Sequence, residues 1–347
     1  MIIDADAHVI EPYGIFGAAQ RLDRNPMHLP ATTPTTACGG ADLSDQWEHA
    51  FDAPSYLRAM DAQGIDAAVL YPSVGLFVPF QPEISIGEHV DACSGYNEWI
   101  ASYCSHNPAR LAGAGIAPLG DPSRAVAAVT DAAQCRLVGL MARPNYLYGR
   151  NLGDAAHDEF FAALADAGLV RAVHEGLGVR GGPTIGSDRF DSFAARHLLS
   201  HPMEQMATMA SLMLDGALER HPTLRVAFLE SGTGWLPYWL ARLDDHISWM
   251  SDSETKELSL SASEYFARQC CISTDPEDPM CARAVASVGA DHIMWASDFP
   301  HPDATFPDAL DEFRPHNPDL AESEATTILS TTPLDFYRLH DRFVSRA

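Results

Sequence analysis

A (β/α)₈ barrel is the fold class this sequence predicts, and three observations lead to it. Short apolar runs alternate with amphipathic stretches from one end of the 347 residues to the other. Several runs, such as Val226-Ala227-Phe228-Leu229, are apolar at every position, as strands of an all-parallel sheet covered on both faces must be. Eight such runs, each followed by a helical pattern, close most economically into one barrel, a fold that commonly takes about 250 residues or more. A doubly wound open sheet is the rival arrangement. The whole chain, 1–347, reads as one barrel domain with long loop insertions at 13–50 and 176–200.

Strands are expected at Met1–Ala5, Ala67–Tyr71, Leu111–Ala117, Val138–Met141, Leu169–Val173, Leu224–Leu229, Gln269–Ile272 and His292–Ala296. The intervening helices are expected at Pro54–Gln63, Glu88–His106, Pro122–Cys135, Ala155–Ala167, Met203–Glu219, Trp235–Trp249, Pro279–Val288 and Phe306–Phe313. In the second of these Val90, Cys93, Tyr96, Asn97 and Ile100 recur at three- and four-residue spacing, which marks one buried helix face. Asp121-Pro122-Ser123 and Asp278-Pro279 supply a side-chain acceptor followed by proline, the chemistry of a helix start. Residues 13–50 are rich in Pro, Thr and Gly, and 176–200 open with Gly176-Leu177-Gly178. In a barrel both insertions follow strands and sit on the C-terminal face, where such loops shape an active site.

Composition excludes several function classes. Lys plus Arg number 22 against 47 Asp plus Glu, for a formal charge of −25. A surface so acidic repels phosphate backbones and anionic lipid, so neither nucleic acid nor membrane is an expected partner. Seven scattered cysteines, with no C-x-x-C pair, make neither a disulfide framework nor a zinc knuckle, and Cys270-Cys271 sit in an apolar run as small hydrophobes. The start, Met1-Ile2-Ile3-Asp4, shows no basic segment followed by an apolar one, so a soluble, cytoplasmic, reduced enzyme is expected.

Candidate chemistry gathers at strand ends. Asp6 and His8, two residues apart, point to one face of a strand at a backbone separation of roughly 7 Å. Asp4 shares that parity one step deeper. His174 ends the fifth strand immediately before Glu175-Gly176, and Asp298 stands at the end of the eighth. Two carboxylates and two imidazoles brought together from strands 1, 5 and 8 would hold one divalent ion, Zn²⁺ or Mn²⁺, with positions left for water and substrate. Each residue also has a plainer reading: His8 as a hydrogen-bonded interior histidine, Asp298 as a helix cap ahead of Pro300, Glu175 or Asp4 as supporting or surface groups.

With these residues in view, the chain resembles the amidohydrolase-related branch of the amidohydrolase superfamily, which includes decarboxylases of aminocarboxymuconate semialdehyde and of hydroxybenzoates such as γ-resorcylate. The resemblance runs over nearly the whole chain. It rests on Asp4-Ala5-Asp6-Ala7-His8, on His174, on His221-Pro222-Thr223-Leu224-Arg225-Val226 and on Ala296-Ser297-Asp298-Phe299-Pro300-His301. It implies metal ligation by Asp6, His8, His174 and Asp298. Many relatives have His-x-His or Glu-x-His where this chain has Asp6-Ala7-His8, and the aspartate tilts preference toward harder ions such as Mn²⁺. Where relatives often place a histidine at the end of strand 6, this chain has Glu230, open to service as proton donor, base or further ligand.

A decarboxylase of this design needs an acid for the carbon that loses CO₂ and a group that fixes the substrate anion. Asp298, Glu230 and His201 are the candidate catalytic residues. Arg143 and His301 are the candidates for substrate binding, although Arg143 could equally pair with a local acid such as Asp154, and His201 and His301 could be loop histidines. The Gly176-Leu177-Gly178-Val179-Arg180-Gly181 run matches a dinucleotide-binding spacing, but Gly182-Pro183 follows it instead of a helix. The Trp235-Leu236-Pro237-Tyr238-Trp239-Leu240 run reads as core or subunit-interface packing, and a homodimer is the expected assembly. The first expectation is therefore non-oxidative decarboxylation of a small aromatic or unsaturated carboxylic acid. Metal-dependent hydrolysis of a C=O or C–N centre uses the same ligands and is the alternative, and a non-catalytic binding barrel is the third reading.

Overall fold

The computed structural model describes residues 1–22, 37–176 and 184–343. Eight parallel strands run in sequential order: β1 Ile3–Val9, β2 Ala67–Pro72, β3 Leu111–Ile116, β4 Gly139–Ala142, β5 Val170–His174, β6 Arg225–Leu229, β7 Cys270–Thr274 and β8 Ile293–Trp295. All residues of these strands except Arg225 are buried, which is why they read as continuous apolar runs instead of alternating ones. The (β/α)₈ barrel expected from the sequence is the architecture observed.

Helices cover the outside: α1 Ala53–Gln63, α2 Ile86–Cys104, α3 Pro122–Gln134, α4 Asp158–Ala167, α5 Phe193–Leu214, α6 Leu236–Trp249, α7 Ala262–Gln269, α8 Cys281–Val288 and α9 Ala309–His316. Their starts carry the caps that free N–H groups require. Asp52, Asp121 and Ser192 each accept from a backbone N–H of the first turn, while Ser85 with Glu88 and Ser261 with Glu264 form reciprocal capping boxes. Close helix–sheet packing needs a small residue in β3. A Cβ on Gly115 would lie 2.7 Å from Asn97 Oδ1, and that α2 side chain bonds both the N–H and the C=O of Ile116, at 2.6 and 3.1 Å.

Among the departures from the sequence reading, four bear on the site. β1 extends to Val9, so Asp6 and His8 lie within the strand. Helix α5 begins at Phe193 beneath its Ser192 cap and continues through Pro202, so the second insertion is shorter than 176–200 and His201 is helical. Helix α7 was not expected; it ends at Gln269 and moves β7 forward to Cys270–Thr274. At 278–280 the Asp-Pro pair does not open a helix. Asp278 instead accepts from Thr233 N at 2.7 Å and Met280 N at 2.8 Å, tying two loops together before α8 starts at Cys281. The Pro- and Thr-rich stretch 23–36 and the glycine-rich turn 177–183 lie outside the described residues.

The seam between β1 and the chain leaving β8 is where the ring closes. His8 N donates to Phe299 O at 2.8 Å and Asp298 N to Asp6 O at 3.2 Å. Between Asp4 and Ala7 the register of β1 against β2 slips by one residue. This bulge ends the simple alternation along β1, so Asp4 does not share the face of His8 as its spacing suggested. The Asp4 carboxylate crosses the seam instead, accepting from Ser297 N at 3.1 Å and from the Ser297 hydroxyl. Burial raises the Asp4 carboxyl to about 7 against those two donors.

Asp4→Ala leaves the Ser297 amide and hydroxyl without a partner in a dry seam, at a cost of about 2–4 kcal/mol. Urea denaturation is expected to show that loss, with Asp4→Asn, which keeps an acceptor, losing about half as much. Equal midpoints for wild type and Asp4→Ala would contradict the seam as described.

Candidate functional site

Strands β1, β5, β6 and β8 bring donor atoms around His8 at the C-terminal mouth of the barrel, in two groups that share it: Asp6, His8 and His174, and His8, Glu230, Asp298 and His301. From His8 Nε2 the distances are 3.2 Å to His174 Nε2, 3.2 Å to Asp298 Oδ1, 3.8 Å to Asp6 Oδ1 and 3.9 Å to Glu230 Oε2. His174 Nε2 lies 3.1 Å from Glu230 Oε2 and 3.5 Å from Asp6 Oδ1. Ligands bound at about 2.0–2.1 Å to a shared ion stand roughly 3–4 Å from one another, so these separations are those of a divalent-metal site. The sequence-derived ligands Asp6, His8, His174 and Asp298 are thus brought together, and Glu230 joins them.

The polar bookkeeping agrees with a cation. Asp6 Oδ1, Glu230 Oε2 and Asp298 Oδ1 are buried yet accept no well-formed hydrogen bond, although His301 Nδ1 comes within 2.7 Å of the last. Each histidine has its outer nitrogen occupied: His8 Nδ1 bonds Pro72 O at 2.9 Å and His174 Nδ1 bonds Glu175 O at 2.7 Å. Those bonds fix the Nδ1–H tautomer and turn both Nε2 lone pairs inward, as metal-ligating imidazoles require. Burial, reinforced by His301 and His174, pushes His8 well below the usual imidazole range, which keeps it neutral. For His174, burial opposes the charge, but Asp6 and Glu230 outweigh it and raise the group to about 9. Asp6 is raised by burial, and Asp298 is held well above the usual carboxylate range by burial and by the charges of Glu230, Asp303 and Asp6. Glu230 is driven the other way, overcoming its burial because His201 and His174 flank it. Three carboxylates and two imidazoles around one point is a set that a divalent cation of the Zn²⁺ or Mn²⁺ kind fits.

Local backbone conformation makes two of the placements. Glu230 and Asp298, the first residues beyond β6 and a short step beyond β8, adopt φ of +47° and +56°. Non-glycine residues hold this left-handed region at a cost of roughly 1–3 kcal/mol, and such residues gather at functional sites. Gln205 on α5 braces the same region. Its Nε2 donates to Val173 O at 2.9 Å and Leu229 O at 3.0 Å, the residues just before His174 and Glu230.

The remaining candidates divide. His201, on α5, faces Glu230 with Nε2 to Oε1 at 3.2 Å. His301 stacks on His8 with ring centroids 3.9 Å apart and bonds Ser73 Oγ at 2.9 Å through Nε2. Arg143 is not brought to the metal-type donors. It is buried, and its guanidinium bonds Glu175 Oε1 at 2.7 Å, Leu76 O at 2.8 Å, Asn145 Oδ1 at 2.9 Å and Gly176 O at 3.1 Å. A fully enclosed guanidinium keeps its charge only with such partners, and Glu175, not Asp154, is the acid it takes. Arg143 therefore braces the loop whose carbonyl holds His174.

A cleft of about 310 Å³ opens above the donors, lined by His197, His201, Glu230, Asp275, Asp298 and Asp303 among others, with no Lys or Arg among the described lining residues. Asp275 was missed in the sequence. It stands immediately beyond β7, so the strand-end rule that found His174 and Asp298 would have found it had β7 been placed two residues later. His197 was missed although it lies one helical turn before His201.

Comparison with known proteins places this geometry in context. The family model described as Amidohydrolase matches residues 3–339. A 2-amino-3-carboxymuconate-6-semialdehyde decarboxylase of Dictyostelium discoideum is 22% identical over 214 residues, covering 61% of this chain and 57% of that protein, so the match spans little more than half the relative's length. The 5-carboxyvanillate decarboxylase of Sphingomonas paucimobilis superposes with a TM-score of 0.76 at 20% identity, covering 97% of this chain and 98% of that one. A dihydroxybenzoic acid decarboxylase from Polaromonas sp. JS666, solved with manganese and 2-nitroresorcinol, gives 0.74 at 18% identity, covering 100% and 98%. At these identities the solved structures establish the shared fold.

Two outcomes follow from the donor geometry. His174→Ala is expected to lower divalent-metal affinity by more than about 100-fold, read as metal content by inductively coupled plasma mass spectrometry after dialysis, since loss of even a supporting partner costs 10–100-fold. Because the His174 proton, held to about 9, and the protons favoured by the raised Asp6 and Asp298 carboxyls must leave before an ion binds, affinity is expected to rise by about tenfold or more per pH unit between pH 6 and 8. A Kd independent of pH over that range would remove His174 from the ligand set.

Proposed function

The chain belongs to the amidohydrolase family, and from that membership we propose that it is a metal-dependent carboxy-lyase that removes CO₂ without oxidation from a small aromatic or unsaturated carboxylic acid. The observation that carries the reading is the gathering of five donors around His8, one of which, Asp298, stays exposed to the cleft with 14% of its side-chain surface. In this reading Asp6, His8, His174, Asp298 and Glu230 hold one divalent ion. Three oxygens among the five donors favour Mn²⁺, with Zn²⁺ the other candidate. When bound, the ion draws electron density from the substrate carboxylate and a neighbouring oxygen.

The chain's own groups supply the proton. Asp298 holds a proton in the metal-free site because burial and the Glu230 charge disfavour its anion, gives that proton up when it ligates the ion, and borders the cleft where it can relay a proton to the ring carbon as the carboxylate leaves. His301 Nδ1, 2.7 Å from Asp298 Oδ1, aims that carboxyl and can return its proton, while Ser73 holds the far ring nitrogen. Glu230 is ionised, so of the three roles open to it the anionic ligand fits and the proton donor does not. Glu230 favours the protonated form of His201 against its burial, and His201 faces substrate oxygens in a cleft that Arg143 does not reach.

The accompanying expectations belong to the same reading. Among the described residues no helix is long and apolar enough to cross a membrane. A cytoplasmic, reduced setting agrees with seven free cysteines, and a homodimer agrees with Tyr238 and Trp249, exposed on α6. Acidic charge on the surface argues against nucleic acid as a partner.

The test is CO₂ release from hydroxybenzoates and carboxyvanillate-like acids at saturating metal. Asp298→Asn is expected to lower kcat by about 10²–10⁴-fold, the usual contribution of a positioned acid. Unchanged turnover would remove Asp298 as the acid. Hydrolysis of esters or amides with no CO₂ from any acid would replace this reading by the hydrolytic one.

A further inference from the structure

Glu230 uses only one of its oxygens on the five-donor site. The other, Oε1, faces outward to His201 Nε2 at 3.2 Å. His197 precedes His201 by one turn on α5, so both rings lie on one helix face, with centroids 4.9 Å apart. The ligand atoms of His197, His201 and Glu230 all lie within 4.8 Å of one another. Asp303, in the loop after β8, brings Oδ2 to 3.4 Å from His197 Nε2. Two imidazoles and one carboxylate therefore surround one space in the cleft, with Asp303 standing against His197 as a further acid, next to the first site but sharing with it only Glu230.

From this geometry we infer a second, weaker divalent-metal site formed by His197, His201, Glu230 and Asp303, with Glu230 bridging the two ions. The His-x₃-His pair on a helix is a metal-binding spacing because i and i+4 side chains stand side by side. The rings are also oriented from behind. His201 Nδ1 lies 3.1 Å from Ser200 Oγ, which leaves Nε2 for the cleft, and Phe193 stacks on His197 at 5.5 Å and 26°. Mixed nitrogen and oxygen donors suit Zn²⁺ or Mn²⁺. The side chains of His197 and Asp303 remain 36% and 55% exposed, so the outer ion exchanges more readily than the inner one.

The inner site alone gives the cleft one metal charge against Asp275, Asp303 and the surplus negative charge of its own ligands. An outer ion would add a second positive centre to a cleft whose described lining holds no Lys or Arg. The inference rests on the reading of the first site only through the shared Glu230.

The experiment is equilibrium dialysis against Mn²⁺ or Zn²⁺ at neutral pH, with metal counted per chain, on full-length wild type, His197→Ala, Asp303→Asn and His174→Ala. Wild type is expected to take up two equivalents of unequal affinity. His197→Ala should retain the tight equivalent unchanged and lose the weak one, Asp303→Asn should weaken the outer site about tenfold, and His174→Ala should lose the tight one. With Mn²⁺, a carboxylate-bridged pair gives an exchange-coupled electron paramagnetic resonance signal that vanishes in His197→Ala. One equivalent in both wild type and His197→Ala overturns the second site and leaves the first intact. Two equivalents retained by His197→Ala overturn its assignment to these residues, and no bound metal in wild type overturns both sites.

Discussion

Everything at the mouth of this barrel depends on the crowding of like charge. Asp6, Glu230 and Asp298 place oxygens within about 4 Å of one imidazole nitrogen, in a setting where His8 and His174 are fully enclosed. In water three carboxylates so close would repel modestly; at the edge of a low-dielectric core the repulsion and the lost hydration are several-fold larger. The free site can relieve that only by binding protons, which is what the raised carboxyls of Asp6 and Asp298 and the raised imidazole of His174 express. A divalent cation offers the other relief, and it also satisfies the buried oxygens that accept no well-formed hydrogen bond. Proton binding and metal binding are thus competing answers to one electrostatic problem.

Such an arrangement persists because the surrounding fold does not let the side chains turn away. The bulge in β1 breaks the alternation between Asp4 and His8 and leaves Asp6 aimed at the donors. Left-handed backbone at Glu230 and Asp298 is unfavourable locally and is retained by what holds each strand end: Gln205 on Leu229, and the Asp4–Ser297 bonds beside Asp298. Behind His174, Arg143 binds the Glu175 side chain while the Glu175 carbonyl binds the imidazole. Stability and function separate spatially here. Apolar packing of strand against helix supplies the stability, and a ring of strained or charged positions at one rim spends part of it on the site.

Strand ends explain how much of this was legible in the sequence. Barrel strands are apolar along their length, so a polar side chain at the end of such a run stands out, and Asp6, His8, His174, Glu230 and Asp298 were all found that way or through the family resemblance they carry. What depended on register was not legible. One extra residue in β1 reverses the face of Asp4, and no local propensity announces it. The start of α5 lies in a stretch whose polar and apolar residues follow no clean period, so His197 looked like loop and its pairing with His201 was invisible. Arg143 illustrates a third limit. An arginine at a strand end in an acidic protein invites a substrate anion, yet the nearest acid in space, Glu175, comes from the neighbouring strand's turn, and only the pairing of β4 with β5 brings the two together.

The charge of the cleft constrains the substrate beyond the requirement for a carboxylate. With a formal charge of −25 on the chain and Asp275, Glu277 and Asp303 lining the approach, the field outside the donors repels anions. Under the proposed function, a monoanionic aromatic acid crosses that field because its single carboxylate is drawn to the ion and its ring presents no further charge. A second fixed anion on the substrate would stay among the cleft carboxylates unless a cation accompanied it. His201, whose protonated form Glu230 favours, is the group placed to meet that need. Under the same proposal, selection among acids follows from where positive charge sits in an otherwise negative cleft of about 310 Å³, a size suited to small molecules.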